Sequence, residues 1–241
     1  MSSGIYAALS GAVARTQLLE NISNNLSNLH TAGFKRDRLS FAAMLDDASQ
    51  TRRTAGVNLN AVAESRTDFR HGTLAKTNND FDVAINGDGF FRLRSADGSL
   101  YYSRQGTFAR ALDGRLINRA GDEVLSVDNN PIVLPDGAFR IDEDGRVLAA
   151  EGQIGQIGLF NPDSAQLSKV GESRFAFSGD EAAVGPAAGS QVQQGYLEQS
   201  NVNSMEEMAQ LISNMRNFEA YQKAMKNYHE LSIKVHEIAA F

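Results

Sequence analysis

The chain has 241 residues, no cysteine, four histidines and a formal net charge of −6. The chain is long enough to fold as one large domain or two small ones, and with 42% apolar residues it can form a buried core. The lack of cysteine excludes disulfides, cysteine-ligated metal centres and thiol nucleophiles. The net negative charge argues against a nucleic-acid partner, since a large nucleic-acid interface needs clustered Lys and Arg.

The amino-terminal segment, residues 1–35, is predicted to form an amphipathic helix. Its apolar residues recur at three- and four-residue steps without an internal proline. Gly33 follows the last of them and is expected to end the helix. Arg15 and Glu20 interrupt the apolar run and no basic stretch precedes it, so we expect neither a cleaved secretory signal nor a membrane span.

The middle of the chain has a different pattern. Residues 36–72 include the polar stretch DDASQTRRTAG and are predicted to form an extended connector. Residues 73–200 consist of short apolar runs separated by six Asn-Gly and Asp-Gly dipeptides, among them 113–114 and 144–145. These dipeptides suit hairpin turns because their residues tolerate positive φ. The pattern predicts a mostly antiparallel β domain.

The carboxyl-terminal segment, residues 201–241, is predicted to form a second helix. Ser204 and Glu207 have the spacing of a capping box. Its apolar residues recur every ~3.4 positions, close to the 3.5 repeat of coiled coils; they are Leu211, Met215, Phe218, Tyr221, Met225, Tyr228, Leu231, Val235 and Ile238. The expected fold is therefore α+β, with coiled-coil-like N- and C-terminal helices packed together and a central, mostly antiparallel β domain.

No motif supports an enzyme. Asp142 begins a stretch that superficially resembles a calcium loop, but Arg140 occupies the position where an oxygen ligand is needed, which favours a hairpin turn. His229 and His236 share a helix face, but no carboxylate completes a metal site. Glycine-rich phosphate loops and a nucleophilic serine elbow are missing from the sequence. We expect no catalytic residue, no metal and no cofactor.

Three asparagines, Asn24, Asn25 and Asn28, lie within five positions of the first predicted helix. Asparagine is a poor helix former. In a tight helical assembly such amides fix register and orientation at some cost in stability. A solvated polar face is equally compatible with the pattern.

Segments at both ends and in the middle resemble one family. ISNNLSNLHTAGFK, residues 22–35, resembles the amino-terminal signature of bacterial flagellar rod and hook proteins, usually close to NNLANVNTPGFK; Ala32 replaces the usual proline. QQGYLEQSNVNSMEEMAQLI, residues 193–212, resembles the carboxyl-terminal signature GxLExSNVN and the helix that follows. DVAINGDGFFRL and SRQGTF resemble the start of the family's β domain. GIYAALSGA, residues 4–12, is similar to the start of the proximal rod members; distal rod members and other hook-basal-body members are the alternative.

The resemblance implies a structural subunit of the basal-body rod that is exported through the flagellar type III apparatus and assembles in the periplasm. It implies that the terminal helices form a tube around the export channel and transmit torque, with the β domain outside. The implied partners are earlier proximal rod subunits, the distal rod protein, copies of the chain and, in transit, the export apparatus. The assembly residues that it implies are Asn24, Asn25, Leu26, Gly33, Phe34, Gly195, Tyr196, Glu198, Ser200, Asn201, Asn203 and Glu207. The apolar stripe adds Leu211, Met215, Phe218, Tyr221, Met225 and Tyr228.

Two functions from other classes stay open at this point. A cell-wall-acting enzyme associated with the rod needs a catalytic carboxylate in a folded cleft, and no spacing in the sequence nominates one. A monomeric β-rich binding module with incidental helical arms would keep its function after the arms are removed.

Overall fold

A computed structural model of the protein describes residues 2–45, 58–150, 152–171 and 173–239. Two α-helices and seventeen β-strands lie within these ranges. The contacts divide the chain into two compact units. The helical unit comprises Met1–Asn28, Arg36–Asp68 and Val202–Phe241, and the β unit comprises Leu29–Lys35 and Phe69–Asn201.

The helical unit contains both helices and the first two strands. They are α1 (Ser2–Ser27), β1 (Asp37–Leu45), β2 (Asn58–Thr67) and α2 (Ser204–Ala239). β1 and β2 pair antiparallel from Asp37 opposite Thr67 onwards, with one bulge after Ser40. The segment that the sequence assigns to an extended connector therefore contains two long paired strands. In the ranges that the structure describes, neither helix is long and apolar enough to cross a bilayer.

Small and polar residues form the contact between α1 and α2. At Gly11 a Cβ atom would lie 2.5 Å from the ring of Tyr221, so the missing side chain lets the ring pack against α1. Asn214 is 2% exposed, and its Nδ2 donates a hydrogen bond of 2.8 Å to the Arg15 carbonyl. Arg15 Nη1 donates in turn to Asn214 Oδ1 at 3.4 Å.

The expected α+β fold with coiled-coil-like helices packed together is wrong. The described chain has one helix near each end and a central part that is mostly β-sheet, and the apolar stripe of α2 is not buried as a coiled-coil seam. Met215, Tyr228 and Leu231 are 48%, 44% and 56% exposed. On α1, Leu9 and Val13 are about half exposed. The periodicity identifies residues that share a helix face, but it does not identify what covers that face.

The β unit contains fifteen short strands within its described residues. They are β3 (Leu74–Lys76), β4 (Val83–Asn86), β5 (Phe90–Arg94), β6 (Leu100–Ser103), β7 (Phe108–Arg110), β8 (Leu116–Asn118), β9 (Glu123–Val124), β10 (Phe139–Ile141), β11 (Arg146–Ala149), β12 (Gly152–Gln156), β13 (Leu159–Phe160), β14 (Leu167–Gly171), β15 (Arg174–Phe177), β16 (Gln191–Gln194) and β17 (Tyr196–Glu198). The glycines of all six predicted Asn-Gly and Asp-Gly turns have positive φ, which confirms that part of the prediction.

The strands of the β unit form one large sheet and three small ones. The large sheet has the order β14-β15-β6-β5-β9-β8-β7, and β13 also pairs with β5. β10, β11 and β12 form a three-stranded sheet. The last two strands return to the first two, because β16 pairs with β4 and β17 pairs with β3. The end of the unit thus closes on its beginning.

Two apolar clusters form the core of the β unit. Phe91 and Leu93 of β5 are fully buried in the larger cluster, and the Phe91 ring meets the Phe108 ring edge to face with centres 5.1 Å apart. The smaller cluster consists of Phe90, Tyr102, Phe160 and Phe175. The β unit therefore has a hydrophobic core of its own.

Candidate functional site

The amino- and carboxyl-terminal signature segments meet inside the β unit. The Gly33 amide donates a hydrogen bond of 2.8 Å to the Glu198 carbonyl, and the Asn201 amide donates one of 3.4 Å to the Phe34 carbonyl. The chain therefore enters and leaves the β unit side by side. We call this group of residues 33–35, Gly72, Arg104, Glu198 and Asn201 the clasp.

A buried carboxylate lies at the centre of the clasp. Glu198 is 1% exposed; its Oε1 lies 2.6 Å from Lys35 Nζ and accepts a 2.8 Å hydrogen bond from the Gly72 amide. Its Oε2 accepts from Arg104 Nη1 at 3.2 Å. Burial lowers the pKa of Arg104, and the charge of Glu198 opposes that shift. Charge-assisted bonds of this kind are strong away from water.

Backbone carbonyls accept further hydrogen bonds from side chains of the clasp. Lys35 Nζ and Asn201 Nδ2 each donate a 2.9 Å hydrogen bond to the Arg70 carbonyl. Arg104 Nη2 donates to the Gly87 carbonyl at 2.8 Å. One clasp therefore ties together segments around positions 35, 70, 87, 104 and 198.

Gly33 and Phe34 fit the clasp for different reasons. Gly33 has φ +67°, and a Cβ atom there would overlap the backbone of Gln105, so both the conformation and the space require glycine. The Phe34 ring is buried, and Lys169 Nζ lies 3.8 Å from its centre, within cation–π range. Lys169 Nζ also donates to the Lys35 carbonyl at 2.7 Å.

The helical unit has a second charge cluster, in which Arg36 and Glu207 are buried and Glu206 is exposed. Arg36 Nη1 and Nη2 donate to the two carboxylate oxygens of Glu206 at 3.0 and 3.1 Å. Arg36 Nε lies 2.7 Å from Glu207 Oε1, and Glu207 is 1% exposed. Burial raises the pKa of Glu207, and the charge of Arg36 opposes that rise. One arginine thus joins the start of β1 to the first turn of α2.

Asn25 joins α1 to the same strand. Its Nδ2 donates to the Asp37 carbonyl at 3.0 Å, and its Oδ1 accepts from the Asp37 amide at 3.1 Å. The buried side-chain amide thus satisfies both backbone groups of one strand residue. A polar cleft of about 250 Å³ lies beside these residues, lined from α1, β1 and α2. Nowhere in the described ranges do three His, Asp or Glu side chains form a group that could hold a metal ion.

Asn203 caps α2. Its Oδ1 accepts hydrogen bonds from the amides of Met205 and Glu206 at 3.1 and 3.3 Å. The predicted capping box of Ser204 and Glu207 is therefore wrong, because the Glu207 carboxylate lies against an arginine instead of the helix start.

The structure brings some of the predicted assembly residues together and leaves others apart. The clasp contains Gly33, Phe34, Glu198 and Asn201. Asn25 lies at the α1–β1 junction, and Asn203 and Glu207 lie at the start of α2. Outside both groups, Asn24 is exposed, and Leu26, Gly195, Tyr196 and Ser200 are half-buried. On α2, Leu211, Phe218, Tyr221 and Met225 are half-buried, and Met215 and Tyr228 are exposed. The side chains of Val235 and Ile238 lie outside the described residues.

Sequence reasoning missed several charged residues of these groups. Lys35 and Arg36 follow directly after the predicted Phe34, and Arg104 belongs to the segment SRQGTF that carried the resemblance. The signal that could have found them is a complementary charge: the amino-terminal signature and SRQGTF carry basic residues, and the carboxyl-terminal signature carries acidic ones.

Most of a row of exposed apolar side chains on α2 was also missed; of its four residues only Met215 belongs to the predicted stripe. Met205, Met208, Ile212 and Met215 are 76%, 51%, 55% and 48% exposed. Their spacing of three, four and three residues places them on one helix face. We call these four residues the methionine row. Contiguous exposed apolar surface of this kind marks an interaction site.

Two regions of the chain match models of known protein families. Residues 84–149, which include Arg104, match the family model described as flagellar hook protein FlgE/F/G D1 domain. Residues 193–235, which include Glu198 and the methionine row, match the model described as flagellar basal body rod FlgEFG protein C-terminal. The chain is 32% identical to the flagellar basal-body rod protein FlgF of Caulobacter vibrioides, over 96% of each chain. It is 32% identical to FlgG of Agrobacterium fabrum, over 93% of this chain and 95% of that one, and 31% identical to FlgF of Rhizobium meliloti, over 94% and 93%.

Proposed function

Since the chain belongs to the flagellar basal-body rod proteins, a family of structural proteins rather than enzymes, we propose that it assembles into the rod through the methionine row of α2. The chain is a structural rod subunit of the basal body. The proposal adds the surface by which it joins its neighbours.

The exposure of the methionine row supports this proposal most directly. Full burial of a large apolar side chain contributes about 1.5–3 kcal/mol. The four side chains lie in one row and are each about half exposed or more, so covering them by a neighbouring subunit would be favourable. The β unit, in contrast, buries its large aromatic side chains in its own core.

The proposal includes the partners, the location and the assembly residues. The partners are copies of the chain and other rod subunits, both proximal and distal. The flagellar type III apparatus exports the chain to the periplasm. Relatives of both kinds, FlgF and FlgG, match at similar identity, so the proposal holds for either position in the rod. In it, residues 1–35 and 201–241 form the rod and the export channel and transmit torque, and residues 73–200 carry the β domain. The clasp residues and the α2 stripe serve as assembly residues by holding or forming this rod surface.

The substitution Met215→Asp tests the proposal. Met215 is 48% exposed, so the variant is expected to keep its free energy of unfolding within about 0.5 kcal/mol. In the rod the new carboxylate would be buried without a partner, which is costly. Rod incorporation and swimming should be lost when the variant replaces the native chain in a flagellated host, as measured by basal-body isolation and motility assays.

Val170→Asp is the matched control. Val170 lies in β14 of the β unit and is 50% exposed, so the same chemical change is made at similar exposure away from α2. This variant should swim. If Met215→Asp enters the rod as well as Val170→Asp does, the methionine row is not the assembly surface.

A further inference from the structure

The last strands of the β unit do not pair with its large sheet. β16 and β17 belong to residues 191–201, which we call the strap, and they pair only with β4 and β3 in two separate two-stranded sheets. The strands of the large sheet all come from residues 90–177. The hydrogen-bonded ladder of the large sheet is therefore complete without the strap.

The strap contacts join residues that are far apart in the chain. Val192 lies opposite Ile85, and Glu198 lies opposite Leu74. Lys35 and Glu198 are separated by 163 positions. Closing such long loops costs entropy before any contact is gained, so contacts of this kind tend to form late in folding.

The strap also carries the carboxylate of the clasp. Lys35 and Arg104 are 1% and 3% exposed, and each lies within hydrogen-bonding distance of Glu198. Two buried cations without this carboxylate would repel each other in a medium of low dielectric constant. Docking of the strap therefore makes the burial of both cations favourable.

We propose that the strap docks last in the folding of the β unit, and that Glu198 is the counter-charge that lets Lys35 and Arg104 become buried when it does. The β unit then closes only when the chain is present as far as residue 201, the end of the strap. The joining of the amino- and carboxyl-terminal signatures is the closing step. This device is a property of the single chain and does not depend on rod assembly.

Glu198→Gln in the full-length chain tests the role of the charge. The amide keeps the shape of the side chain but removes the negative charge that lies against both cations, and the loss of one partner of a buried pair lowers the folded-to-unfolded ratio by about a hundred- to several-thousandfold. Urea unfolding of dilute protein measures this ratio. Asp128→Asn makes the same carboxylate-to-amide change at an exposed residue of the same unit; it is the control and should leave the ratio unchanged.

Adding Lys35→Met to Glu198→Gln separates charge from shape. If the charge matters, removing one cation restores part of the stability lost with Glu198→Gln, including the case in which the single variant does not fold. Glu198 does not act as the counter-charge if the double variant stays unfolded. The same conclusion follows if its loss of stability equals the sum of the losses measured for Glu198→Gln alone and Lys35→Met alone.

A matched pair of valines tests the order of events. Val192 of the strap and Val124 of β9 are 1% and 0% exposed in the same apolar cluster, so Val192→Ala and Val124→Ala make the same change in two places. Val192→Ala should speed unfolding and leave the refolding rate within about twofold, because its contacts are absent from the transition state. Val124→Ala should slow refolding. Stopped-flow urea kinetics measure both rates, and a refolding rate slowed as much by Val192→Ala as by Val124→Ala would overturn the proposal.

Discussion

The β unit and the helical unit place their large apolar side chains differently. Phe91 and Phe175 of the β unit are fully buried within it, whereas Met205 and Ile212 of the helical unit are more than half exposed. The β unit can therefore gain its stability from internal burial. The helical unit leaves apolar surface exposed, and this is the surface that the proposed assembly uses.

The two units also hold charge clusters of opposite arrangement. In the β unit one carboxylate, Glu198, lies between two cations, and in the helical unit one cation, Arg36, lies between two carboxylates. The adjacent residues Lys35 and Arg36 each serve a different unit. One short signature segment thus supplies a charged partner to both units.

The largest effect is expected for the loss of core packing in the β unit. Phe91→Ala removes a fully buried ring and should lower the free energy of unfolding by about 3–5 kcal/mol. Leu112→Ala, at a fully exposed leucine of the same unit, should change it by less than about 0.5 kcal/mol. Urea unfolding measures both values. Equal losses would show that buried area does not determine the stability of the β unit.

A smaller effect, confined to the helical unit, is expected for the cap of α2. Asn203→Ala removes the acceptor for two helix amides and should cost about 1 kcal/mol. Asn217→Ala makes the same change at an exposed position inside α2, where alanine favours the helix, and should cost nothing. Thermal unfolding followed by circular dichroism compares the two variants. An equal loss of stability in both would show that Asn203 does not cap α2.

Local features of the fold could be predicted from the sequence. The turn glycines have the predicted positive φ because a dipeptide such as Asp-Gly determines its own backbone conformation. The regions expected to be helical contain α1 and α2, since periodicity is also a local property. Asn203 is one of the residues that the resemblance singles out, and its side chain accepts hydrogen bonds from two of the first amides of α2.

Pairings between distant residues could not be predicted from the sequence. Glu207 is within capping distance along the chain, but Arg36 holds its side chain in the folded protein. The contact of Lys35 with Glu198 depends on how the strands are ordered, which no local pattern specifies. The coiled-coil expectation failed for the same reason, because Met215 shares a helix face with other apolar residues that the chain itself leaves exposed.

The smallest expected effect is in how the free energy of unfolding depends on pH. The contributions of one carboxyl in each unit should change with pH in opposite directions. Burial raises the pKa of Glu207 above its ordinary value of 4.5, so between these two values the folded state binds more protons than the unfolded state. The contribution of Glu207 to stability is therefore complete below its unfolded pKa and is lost as the pH rises through its folded pKa. The difference in free energy of unfolding between the native chain and Glu207→Gln should favour the native chain most at the acidic end.

Asp97 of the β unit should show the opposite trend. A 2.9 Å hydrogen bond from the Ser99 amide lowers the pKa of Asp97, so its contribution is present above the unfolded pKa and is lost as the pH falls through the folded pKa. The difference between the native chain and Asp97→Asn should therefore favour the native chain most at neutral pH. Urea unfolding of the three proteins between pH 3 and pH 7 measures both differences, taking about pH 4 as the centre of carboxyl titration. Trends of the same sign would contradict the assignment of a buried carboxyl to one unit and a hydrogen-bonded, exposed one to the other.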